Sequence, residues 1–189
     1  MRRIVVHMAV SLDGFFEGPD HDISWHLVDD ELHTYINEYL ASTSAFLMGR
    51  VVYGEMEEFW PTADEDPASP PTTAEFAGIW RRLPKIVYSR TLQQVGPNAT
   101  IVRDVVPDEV HALQDQPGGD MTVGGGDLIA SFRAHDLIDE YRLYVNPVLV
   151  GLGRRLFGYA DSLTGLRLVD TRTFGNGVVM LRHERVRTD

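Results

Sequence analysis

Residues 121–132, MTVGGGDLIASF, set three consecutive glycines between a β-branched run and a segment with helical spacing. A strand that passes into a helix through glycine belongs to folds in which strands and helices alternate. It brings bare backbone N–H groups and a positive helix end to one point, where any Cβ would hold an anionic ligand away. Phosphate is the natural guest. The stretch is not the dinucleotide fingerprint G-x-G-x-x-G, since Ile129 stands where the third glycine belongs, and it is not G-x-x-x-x-G-K-[ST]. A plain glycine-rich turn with Asp127 as helix N-cap accounts for the same letters.

The rest of the chain keeps the alternation. Ile4 to Val10 reads as a buried strand and Ser11 to Asp22 as a long loop with Gly14, Gly18 and Pro19. Asp29 to Ala41 has Leu32, Ile36, Tyr39 and Leu40 at helical spacing, with carboxylates in its first turn. Ala45 to Met48 is a short strand followed by a helix to Phe59. The acidic, Pro-rich PTADEDPASPPTT is an exposed loop, after which Thr72-Thr73-Ala74-Glu75 matches a capping box opening a helix with Phe76, Ile79, Trp80 and Leu83, closed by Pro84. Strands are expected at 85–89, 99–102 and 121–123, with helices from Pro107 and over Asp127–Ala134. Three more strands follow at 140–150, 166–173 and 178–187, the last two joined by Gly175-Asn176-Gly177. This describes one α/β domain over residues 1–189, with a mixed, mostly parallel sheet, a C-terminal antiparallel hairpin, and a ligand at the carboxyl ends of the parallel strands.

Charge narrows the partners. A formal net charge of -11 repels nucleic acid and anionic membrane surfaces, and no basic stripe or long apolar segment offsets it. Zero cysteines remove disulfides and thiolate chemistry and fit a reducing compartment. A cytoplasmic protein with a small-molecule substrate is expected, with no nucleic-acid or membrane partner; a homodimer is an open alternative to the monomer. His7, His26 and His33 lack a metal-ligand pattern, so no metal is expected.

Two further strand ends carry anion-binding chemistry. Phe46-Leu47-Met48 runs into Gly49-Arg50 and a helix, and Lys85-Ile86-Val87-Tyr88 ends in Ser89-Arg90. Together with Ala9-Val10-Ser11-Leu12-Asp13-Gly14 and Val123-Gly124-Gly125-Gly126, these motifs resemble, in order and spacing, the dihydrofolate reductase superfamily. The tail from Leu137-Ile138-Asp139-Glu140-Tyr141 to Arg154-Arg155-Leu156-Phe157 is similar to its riboflavin-biosynthesis branch, the RibD C-terminal domain. The resemblance implies a dihydrofolate reductase-like three-layer sandwich and an NADPH site. It implies Gly49, Arg50, Val51 and Val52 at the cofactor phosphates, and Ser89 and Arg90 at the adenosine 2'-phosphate. Gly124, Gly125, Gly126, Asp127 and Leu128 would lie under the pyrophosphate, and the Ala9 backbone at the nicotinamide. Val52 replaces a threonine common in the family, and Val123 stands where riboflavin reductases commonly have glutamate.

Hydride transfer needs a substrate anchor and a proton source. Trp25 precedes Asp30 by the five residues that, in dihydrofolate reductases, separate a tryptophan from the helix carboxylate gripping the pterin. Trp25 and Asp30 are therefore the expected substrate contacts, and Asp30 the expected acid, although a carboxylate in a first helical turn also complements the dipole. Asp13 is the second catalytic candidate, with a turn-closing role as its alternative. The leading expectation is an NADPH-dependent reductase of a small heterocyclic or carbonyl-type substrate, resembling 5-amino-6-(5-phosphoribosylamino)uracil reductase. Dihydrofolate reductase activity and a non-catalytic nucleotide-binding module are the alternatives.

Overall fold

A computed structural model describes residues 1–158 and 163–187. Its strands are β1 (Ile4–Ser11), β2 (Phe15–Glu17), β3 (Ala45–Gly49), β4 (Lys85–Tyr88), β5 (Ala99–Val102), β6 (Met121–Gly124), β7 (Glu140–Asn146), β8 (Arg154–Arg155), β9 (Leu166–Thr173) and β10 (Val179–Arg185). Its helices are α1 (Asp30–Ala41), α2 (Arg50–Phe59), α3 (Pro71–Arg82), α4 (Pro107–Gln114) and α5 (Gly126–Ala134). Eight strands form one sheet in the order β5-β4-β3-β6-β1-β7-β10-β9, and β2 pairs with β8 apart from it. From β5 to β7 every pairing is parallel, and β10 runs antiparallel to both β7 and β9. The mixed sheet and closing hairpin match the sequence expectation.

The parallel part of the sheet is covered on both faces, and its central strands are accordingly apolar at successive positions, whereas β9 is exposed along its length. Ile4, Val5 and Val6 are fully buried. On β3 the alternation separates two cores: Phe46 and Met48 pack with Leu40 of α1 and Phe76 and Trp80 of α3, while Leu47 packs with Val110 of α4 and Ile129 and Phe132 of α5. Burying each such side chain contributes about 1.5–3 kcal/mol. On the α1 face, Glu140 is fully buried and bonded by Arg3 at 2.9 Å, Arg142 at 2.8 Å and Arg182 at 3.0 Å. A carboxylate so enclosed is tolerable because three guanidiniums surround it, and it ties β1, β7 and β10 in register.

Local departures from the sequence reading have local causes. The loop at 11–22 contains β2 and a 3-10 turn over Pro19–His21, elements too short to show a period. The capping box at Thr72 is not formed: α3 begins at Pro71 behind Pro70, and Glu75 instead accepts from Asn37 Nδ2 at 3.0 Å. Asp127 is not an N-cap, because α5 starts at Gly126 with Gly125 capping it at φ +99°. Asp29 is the cap of α1, accepting from the Leu32 N–H at 2.9 Å. The seventh strand stops at Asn146, four residues before the expected Val150.

Candidate functional site

From β1 the chain crosses to β3 on one side, and from β6 it crosses back over β1 to β7. That reversal leaves a crevice at the strand carboxyl ends, and a cavity of about 1080 Å³ occupies it. The strand order gives it two halves. The turns after β3, β4, β5 and β6 form one, while β1, β7 and α1 wall the other.

The first half is an anion cradle. The N-termini of α2 and α5 both open on it, each capped by a glycine, which has no side chain to occupy the free N–H groups. A Cβ on Gly125 would come within 3.4 Å of the Gly49 nitrogen, so the two turns approach backbone to backbone. A Cβ on Gly126 would strike the Phe16 ring at 2.6 Å. Two of the three glycines thus serve the protein's own packing as well as any ligand. Four arginines line the cavity. Arg50, first residue of α2, is exposed and has no acidic partner among the described residues. Arg90 pairs with Asp104, its Nε donating at 2.7 Å. Arg103 donates to the Ser89 and Leu92 carbonyls at 2.9 and 2.7 Å, while Arg154 bridges Glu17 at 3.1 Å and Asp127 at 2.6 Å.

The second half is aromatic and uncharged. Tyr144 Oη and His7 Nε2 are 2.8 Å apart. His7 stacks on Tyr39 at 5.3 Å, and Trp60 meets Phe76 at 4.3 Å with His33 beside both. Burial lowers the His7 pKa to about 3, with the Arg142 guanidinium adding to the effect. Burial also lowers His26 and His33 and raises Tyr144, so these groups are neutral at pH 7. Such groups exchange hydrogen bonds with a ligand without adding charge.

The structure brings most sequence-predicted residues together. Ala9, Gly49, Arg50, Val51, Val52, Ser89, Arg90, Gly125, Gly126, Asp127 and Leu128 all line the cavity, and Gly124 lies just behind, closing β6. The Ser89 hydroxyl oxygen accepts from the Leu92 N–H at 3.0 Å, closing its own turn.

Trp25, Asp30 and Asp13 fall outside the lining. Asp30 is exposed at the head of α1, 3.5 Å from Thr72 Oγ1, because α1 turns the face carrying Leu32, His33, Ile36 and Leu40 inward and leaves Asp30 and Glu31 in solvent. Trp25 Nε1 donates to the Asp22 carbonyl at 3.1 Å, and His26 next to it takes the place in the wall. Asp13 accepts from Ser11 Oγ at 2.6 Å and from the Val150 and Gly151 N–H groups at 3.1 and 2.8 Å. The Ser11 bond first, then those amides, lower its pKa to about 2, as suits a loop-closing carboxylate. Sequence reasoning missed Arg103, Arg154 and the His7–Tyr144 pair. Arg154 lies on a two-residue strand with no period, and His7 and Tyr144 are 137 positions apart in sequence.

Comparison with known proteins agrees with this architecture. The chain is 33% identical over 181 residues to the uncharacterized protein YyaP of Bacillus subtilis (strain 168), covering 95% of this chain and 93% of YyaP. It is 27% identical over 179 residues to YwjB of the same organism, covering 94% and 95%. Among solved structures, it matches a protein assigned provisionally to riboflavin biosynthesis from Shewanella sp. PV-4, at TM-score 0.76 and 22% identity over 99% of this chain and all of that one. It also matches a pyrimidine reductase-like protein from Corynebacterium diphtheriae, at TM-score 0.66 and 13% identity over 99% and 93%. The RibD C-terminal domain model matches residues 2–180, and the chain belongs to that family.

Proposed function

We propose that the protein is an NADPH-dependent reductase that transfers hydride to a small heterocyclic or carbonyl-type substrate. The observation that carries this reading is one cavity with two opposite ends: two helix N-termini and an unpaired Arg50 at one, and the neutral His7–Tyr144 pair at the other. The cradle fits a dinucleotide diphosphate, since Gly49 and Gly125 leave backbone N–H groups bare and Arg50 is free to pair. Arg90 and Ser89 line the same end of the cavity and would meet an adenosine 2'-phosphate once Arg90 exchanges Asp104 for it.

Bound NADPH would supply the hydride. The protein's part is to hold the substrate against Ala9, keep water out with Phe16 and Trp60, and manage one proton. With the His7 proton on Nε2, Tyr144 accepts it and its own O–H is free to donate into the cavity. With that proton on Nδ1, Tyr144 donates to His7 and its oxygen accepts from the substrate. Only the first arrangement turns a donor toward the atom that gains negative charge as hydride arrives; the second offers an acceptor to a substrate N–H or O–H.

The membership in a reductase-type family and the pyrimidine reductase-like neighbour support this reading. The test is direct: titrate NADPH and NADH into the purified protein, then follow NADPH absorbance with pyrimidine ribosides, dihydrofolate and simple ketones. NADPH binding tighter than NADH, with oxidation by at least one compound, is expected. Absence of NADPH binding would overturn the proposal, and tight binding without turnover on any of them would favour a non-catalytic nucleotide-binding module.

A further inference from the structure

We infer that the compartment walled by α1, β1 and β7 takes a flat, uncharged ring compound that carries neither phosphate nor carboxylate. The inference rests on the reductase reading, which assigns the cradle half to the cofactor.

The charge census carries it. All four cations in the cavity wall belong to the cradle side: Arg50 on α2, Arg90 after β4, Arg103 after β5 and Arg154 on β8. Among the described residues the substrate compartment has none in its wall. Arg142 is outside the cavity wall, stacked 3.6 Å over the Tyr39 ring and bonded to the buried Glu140, so its guanidinium is held away from a ligand in this space. Lys85 sits over Trp80 at 4.7 Å, outside the wall. At the mouth, the exposed Glu55 of α2 would repel an anion. An anionic substituent taken into this space would lose water and find only neutral partners, which disfavours its binding.

What the compartment offers instead suits a neutral ring. Trp60, Phe76, His33, His7 and Tyr144 supply aromatic faces and edges on several sides. Its polar groups are the His7–Tyr144 pair, His33 and His26, whose buried Nε2 has no partner among the described residues. These match the scattered donors and acceptors of a heterocycle. They give a phosphate no positive charge to pair with.

The experiment uses two matched pairs, riboflavin with flavin mononucleotide and uridine with uridine 5'-phosphate, titrated calorimetrically into the full-length protein saturated with NADP+. The neutral member of at least one pair should bind about ten-fold or more tightly than its phosphorylated counterpart, and His33→Arg should shrink that ratio by about ten-fold. Equal or tighter binding of the phosphorylated members, or no binding of either neutral one to the NADP+-loaded protein, would overturn the inference and leave the reductase reading standing. If NADP+ itself fails to bind in the preceding titration, the reductase reading falls and this inference with it.

Discussion

The phenolic oxygen of Tyr144 lies 2.8 Å from Nε2 of His7, although the register of the parallel strands sets Tyr144 opposite Ala9 and His7 opposite Arg142. Tyr144 therefore reaches back along β1 by one same-face step, across the floor of the cavity. The pair is the neutral polar element of that floor, and Tyr144 is held there by burial among Leu32, Phe174 and Met180.

Removing the phenol oxygen tests its role in the reaction. Tyr144→Phe keeps the ring that packs against α1 and should lower turnover by about 100-fold, within the usual range for a single acid-base group, with the NADP+ dissociation constant changed less than about two-fold. Asp30→Asn, exposed and outside the cavity, should leave both unchanged. A reversal of these two results in steady-state kinetics would return the acid role to α1.

Acid sensitivity should follow His7. Its folded pKa of about 3 lies well below the usual value of 6.5, so the unfolded chain takes up a proton that the folded protein refuses. Stability associated with the neutral ring is thus fully present above pH 6.5 and falls as pH drops toward 3, with a slope of at most about 1.4 kcal/mol per pH unit. Urea titrations at several pH values between 7 and 4.5 should show this slope, and His7→Gln should flatten it. An unchanged slope in the variant would mean that other groups govern the acid limb.

Removing Arg50 and freeing Arg90 should affect cofactor binding in opposite directions. Arg50→Ala removes an unpaired charge at the head of α2 and should weaken NADPH about ten-fold or more, a charge-assisted bond being worth about 1.5–3 kcal/mol. Asp104→Ala releases Arg90 from a pair whose side chains are 81% and 52% exposed, and should tighten NADPH a few-fold while leaving NADH unchanged. Fluorescence titration of both variants checks this, and no response to either would move the phosphates elsewhere.

The glycines should separate backbone strain from ligand access. Gly125 has φ +99° and abuts Gly49, so Gly125→Ala should destabilise the fold by roughly 1–2 kcal/mol. Gly49 has φ −72°, and an added Cβ would meet Leu128 at an ordinary 3.8 Å, so Gly49→Ala should leave the urea midpoint nearly unchanged while weakening NADPH. If both variants are equally stable, the positive φ at Gly125 does not matter energetically.

The linear sequence alone determined the strand-helix alternation, the closing hairpin and the glycine corner, because each is written in nearest-neighbour chemistry: β-branched runs, helical spacing, and residues without Cβ. It also singled out the cradle residues, since Gly49-Arg50, Ser89-Arg90 and Gly124 to Leu128 each sit where a strand ends. Only the tertiary structure decided what faces the cavity's other half. Which side of α1 turns inward depends on how its Leu32 and Leu40 seat against two different cores, and that rotation presents His33 and Ile36 while leaving Asp30 in solvent. Arg154 and the His7–Tyr144 pair become part of the site through strand pairings that join residues about 140 positions apart, a separation across which local periodicity carries no information.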